Sequence, residues 1–63
     1  MQVFNRDMLP ILGVSWREFD TEKEAVRFAK WAERTTRKDQ YPCDAYAYKN
    51  EYTNNWEVKV VNW

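Results

Sequence analysis

Residues 21–38, TEKEAVRFAKWAERTTRK, decide the fold. Ala25, Phe28, Ala29, Ala32 and Thr36 recur at the i, i+3, i+4, i+7 spacing of one helix face. Thr21 followed by Glu24 predicts a capping box: the hydroxyl takes one orphan N–H, and the carboxylate reaches back to another. Glu22 and Glu24 at the start, and Arg37 and Lys38 at the end, suit the helix dipole. The body is Ala, Glu, Lys and Arg, and neither Gly nor Pro interrupts it. Opposite the apolar face runs a row of cations: Lys23, Arg27, Lys30 and Arg34, continued by Arg37 and Lys38. Trp31 falls between the apolar face and that row.

Working outward, residues 11–19, ILGVSWREF, alternate at period two and predict a strand. Leu12, Val14 and Trp16 are the more apolar set and are read as facing the core. Beyond the helix, Pro42 forbids continuation. Residues 43–52, CDAYAYKNEY, and 56–63, WEVKVVNW, both alternate and are rich in strand formers. Asn54-Asn55 between them suggests a two-residue hairpin turn. Such a turn sets Trp56 opposite Thr53, Val58 opposite Glu51 and Val60 opposite Lys49. In residues 1–9, Val3 and Phe4 are candidates for a short edge strand or an apolar plug, and residues 5–7 read as a turn.

The expected architecture is α+β: a single small domain over residues 1–63, β-α-β-β, with one helix on one face of a three-stranded sheet and Val3-Phe4 as the candidate fourth strand. Trp56, Val58 and Val60 should face the helix, with the small Cys43, Ala45 and Ala47 beside them. Asp44, Tyr46, Tyr48, Val61 and Trp63 then share the opposite face, which only residues 1–9 are left to cover.

A chain of 63 residues buries little core, and its 4 Trp, 4 Tyr and 3 Phe compensate. A homodimer is another way to bury more surface. Lys and Arg total 10, as do Asp and Glu, so bulk charge favours neither nucleic acid nor an anionic membrane. No apolar run approaches membrane-spanning length, and residues 1–8 do not read as a signal peptide. A cytoplasmic protein is the expectation, the lone Cys43 fitting a reducing compartment.

The chemistry points away from catalysis. There is no His, and one Cys without His excludes the usual zinc sets. A single Gly rules out nucleotide-binding glycine loops. Carboxylate pairs such as Asp20 with Glu22, or Asp39 with Asp44, sit where caps and turns explain them. No cofactor, metal or small-molecule substrate is expected.

Two functional readings follow. The first is a non-enzymatic module, an inhibitor or accessory protein among its forms, that binds another protein. Its candidate surface is Lys23, Arg27, Lys30, Trp31, Arg34, Arg37 and Lys38, with Tyr46, Tyr48, Val61 and Trp63 as a second. Size alone associates it with accessory proteins of phages and mobile elements. The alternative is nucleic-acid binding, with the basic row following phosphates and Trp31 or the sheet tyrosines stacking on bases.

Overall fold

The structure is a computed structural model that describes residues 4–62. β1 (Gly13–Phe19), α1 (Glu22–Thr36), β2 (Cys43–Asn50) and β3 (Asn55–Asn62) follow in that order. The sheet order is β1-β3-β2, and β3 is antiparallel to both neighbours. β1 and β2 are therefore mutually parallel, with the last strand of the chain filling the gap between them. The expected α+β architecture holds: one helix on one face of a three-stranded sheet. No fourth strand forms among the described residues; Val3 lies outside them.

The helix buries the face its spacing predicts: Ala25, Phe28, Ala29, Ala32 and Thr36. Thr21 caps it, its Oγ1 accepting the Glu24 N–H at 3.3 Å. Only that half of the expected capping box forms. At the other end the Thr36 hydroxyl works twice. It donates to the Ala32 carbonyl at 2.8 Å and accepts the Cys43 N–H at 2.9 Å, pinning the start of β2 to the last helical turn.

Val58 and Val60 on the central strand are fully enclosed beneath the helix. Cys43 is buried, and Ala45, Ala47 and Trp56 pack against the same core. Small side chains on β2 let α1 lie close, so the helix sits over β2 and β3 and touches β1 least.

That offset overturns the expected orientation of β1. Leu12, Val14 and Trp16 point away from the helix side and are exposed. Ser15, Arg17 and Phe19 share the core side with Val60, Val58 and Trp56. The N-terminal segment supplies the reason. A 3-10 turn, Arg6–Met8, capped by Asn5, lays this segment along the helix side of β1. Leu9 enters the core, and Arg17 Nε donates to the Met8 carbonyl at 3.2 Å. Arg6 pairs with Asp39 beyond the helix. Phe4 meets Phe28 edge-on, with ring centroids 5.2 Å apart, and Phe19 at 6.5 Å. Ser15 is thus half-buried on this side without helix above it, and Arg17 stays exposed while its guanidinium reaches the Met8 carbonyl.

The hairpin also differs from expectation. Val58 faces Ala47, and Trp56 faces Lys49, so the loop is residues 51–54. A two-residue turn of type I′ needs positive φ at both central positions. Here only Asn54 has it, at 64°, while the Asn50 side chain accepts the Tyr52 N–H at 2.9 Å and closes the loop locally. The slip relative to the expected pairing is even, so every β2 and β3 side chain keeps its face.

Candidate functional site

The pleat does the sorting. With Val58 and Val60 turned to the helix, Glu57, Lys59 and Val61 of β3 must point the other way. The register places β1 and β2 residues beside each. Trp16, Lys59 and Tyr46 form a central row across the three strands. Glu18, Glu57 and Tyr48 lie on one side of it, and Val14, Val61 and Asp44 on the other. No described element covers this face, because the N-terminal segment lies on the helix side. Trp16 is 58% exposed, Tyr46 57% and Tyr48 38%.

Of the residues expected here, Tyr46 and Tyr48 stand on the bare face. Val61 is there too, but it is only 4% exposed, so it forms floor rather than contact surface. It sits in the central strand, flanked by Val14 and Asp44. Trp63 lies outside the described residues. Trp16, Val14 and Glu18 join the face unanticipated, and Glu57 and Lys59 fall there by alternation with the inward valines. The signal that could have found Trp16 is Phe19: a buried residue at an odd position puts 15, 17 and 19 inward together.

Three carboxylates, Glu18, Asp44 and Glu57, share this face with one ammonium, Lys59. Glu57 accepts hydrogen bonds from Tyr48 Oη at 2.8 Å and Asn50 Nδ2 at 2.9 Å. The Asn50 amide first, and the Tyr48 hydroxyl second, hold the Glu57 carboxyl below the usual carboxylate range. The same bond to Glu57 raises the Tyr48 phenol above its ordinary value. Glu18 stands directly opposite Glu57 across β1 and β3, a like-charge pair.

On the other side of the molecule Lys23, Arg27, Lys30, Arg34, Arg37 and Lys38 are all exposed. None of the six is ion-paired among the described residues. Trp31 is set apart from them. It is half-buried, and its ring packs on Phe4 at 5.4 Å and Phe28 at 5.6 Å, extending the core at the helix margin. The expected basic row is therefore brought together as a surface, with Trp31 turned toward the aromatic cluster.

A cleft opens at one end of the domain, between the N-terminal segment and the link from α1 to β2. Arg6 and Asp39 at its rim satisfy each other, and the Cys43 thiol beneath is buried. The Asn62 side-chain amide donates to the Pro10 and Ile11 carbonyls at 3.1 and 2.9 Å, which ties the chain before β1 to β3. The Asn62 Oδ1 of the same amide is buried without a hydrogen-bond partner among the described residues.

Compared with protein-family models, curated proteins and solved structures, the chain matches none. No helix among the described residues is long and apolar enough to cross a membrane. Fold and surface together define a one-helix α+β domain with a bare aromatic sheet face.

Proposed function

We propose that this chain is a non-enzymatic binding module whose partner is another protein, held on the bare face of the sheet. One observation carries the reading: Trp16, Tyr46 and Tyr48 stand exposed together on a sheet face that nothing described in the chain covers. Large aromatics held out in water forgo the burial that a 63-residue chain most needs. Trp and Tyr are also the residues that dominate binding energy at interfaces. The domain measures 35 × 25 × 15 Å, so its broad face suits the roughly 800 Å² per partner of an ordinary protein interface.

The six exposed cations of α1 and its C-terminal extension favour nucleic acid as the second reading. Geometry supports it less well. The tyrosines that would stack on bases lie across the sheet from the cations, beside three carboxylates that repel phosphate. Trp31 is engaged with Phe4 and Phe28.

The test is capture from nuclease-treated lysate of the native host on immobilised protein. Replacing Trp16 and Tyr46 by Ala should abolish capture, and replacing Arg27, Lys30 and Arg34 by Glu should spare it. The reverse pattern, or capture that vanishes with nuclease, moves the working surface to the helix.

A further inference from the structure

We infer that the bare sheet face takes a cationic segment of its protein partner, an arginine or lysine side chain lying over the Trp16–Tyr46 row between flanking carboxylates. This rests on the protein-binding reading and names the chemistry of its occupant.

Rows on one face of a sheet lie about 7 Å apart along the strands, and neighbouring strands about 4.8 Å apart. The central row therefore has Glu18 and Glu57 one step away on one side and Asp44 one step away on the other. Aromatic faces and carboxylates are the two groups that hold a guanidinium or ammonium, the first by the ring quadrupole and the second by charge-assisted hydrogen bonds. Here Trp16 and Tyr46 flank Lys59 in the central row, and the carboxylates lie one row away on either side, within reach of a single extended side chain that approaches over either ring.

The charge on the face is unbalanced. Lys59 stands alone against three carboxylates and is half-buried in the central strand. Glu57 has two donors of its own, from Tyr48 and Asn50, and is fixed in place as an anion. Glu18 stands across from it on β1, so two carboxylates adjoin at this end of the face. A cation arriving from a partner would find both carboxylates as acceptors.

Other occupants fit worse. A phosphate backbone meets the carboxylates as like charge. A purely apolar surface would dehydrate them without giving them partners. A second copy docked sheet to sheet about a two-fold axis sets the same acidic surface against itself. A second copy docked helix to sheet is compatible in charge, since α1 carries the basic row, and the experiment must separate it.

The experiment is a titration of isotope-labelled protein with a short alternating Arg-Ser peptide, followed by amide and indole NMR shifts. A Glu-Ser peptide of equal length and an oligo-dT strand are the comparison probes. The Arg-Ser peptide should shift the Trp16 indole N–H and the Tyr46 and Lys59 amides saturably. Trp16→Ala, and independently Tyr46→Ala, should each weaken binding about tenfold, as loss of an interface anchor does. Glu18→Gln should weaken it by a smaller factor, and Arg27→Ala should leave it unchanged.

Absent or misplaced shifts, binding indifferent to Trp16→Ala, or tighter binding of either comparison probe would overturn the inference. So would joint shifts of the Arg27 amide and the Trp16 indole on concentrating the protein alone, which would seat a second copy there. If lysate capture depends on Trp16 and Tyr46 while the Arg-Ser peptide fails, this inference falls by itself. If both fail, the protein-binding reading falls with it.

Discussion

The two faces of this sheet are built from alternate residues of the same three strands, yet they obey different rules. On the helix side Val58, Val60, Phe19 and Cys43 are enclosed, and the buried Thr36 hydroxyl is paired with Cys43, although the Ser15 hydroxyl is buried without a partner among the described residues. On the bare side aromatics of equal size stand in water among charges. The difference shows which residues hold the fold and which are free to work. A side chain whose removal leaves the domain intact, although it is large and apolar, is being kept for something other than the core.

The sharpest break of that contrast is Phe28→Ala. Phe28 is fully buried and touches Phe4, Phe19 and Trp31. Its loss should cost about 3–5 kcal/mol, comparable with the whole stability of a domain this size at roughly 0.05–0.15 kcal/mol per residue. Urea denaturation should show a largely unfolded protein already in buffer. A cooperative transition with a near-native midpoint would mean the aromatic cluster is not the core.

Next comes Leu9→Ala, which asks whether the N-terminal segment belongs to the covered face. Leu9 is in the core cluster beside Phe19 and Cys43. A loss of about 2–3 kcal/mol is expected, read from the same denaturation curve. An effect near zero would detach the segment from the core and reopen the bare face as its resting place. Thr36→Val follows. It keeps the shape but strips the Cys43 N–H of its acceptor, at a cost of about 1–3 kcal/mol. Trp16→Ala supplies the opposite limb of the contrast. Despite the larger side chain, it should cost less than about 1 kcal/mol, the scale of a cross-strand pair on an exposed face.

These same residues show how far the order of amino acids alone specifies the two faces. The helix face is legible because five positions agree on one period and α1 meets the core along its whole length. β2 and β3 are legible for a similar reason: small residues on one strand answer valines on the other. β1 is not. Its apolar count favours Leu12, Val14 and Trp16 as the inward set, but what lies over β1 is a backbone segment from just upstream in the chain, and such a cover tolerates Ser15 and Arg17. Periodicity records which side is greasier, and not what will be laid on it. The candidate surface is half legible in consequence. Alternation puts Tyr46 and Tyr48 on the open side, while Trp16, the row's other end, is misplaced with the strand it sits on.

The smallest expected effect concerns the order already present in the bare face. Glu57 is held below the usual carboxylate range by Asn50 and Tyr48, so its contribution is complete above the unfolded carboxyl pKa and is lost as pH falls through the lower folded value. Tyr48 is shifted the other way. Its contribution is complete below the ordinary phenol pKa and is lost as pH rises through the raised folded value. Both groups face solvent, so the change in stability will be slight and the titrations themselves are the better measurement. In Glu57→Gln the anion that favours the protonated phenol is gone, and absorbance should show Tyr48 titrating at lower pH than in the parent. Asn50→Ala should instead raise the Glu57 carboxyl toward its ordinary value, seen by side-chain NMR. If neither group responds to its partner's replacement, Glu57 is a mobile surface carboxylate. The bare face would then lack the fixed anion that distinguishes it from any other charged surface.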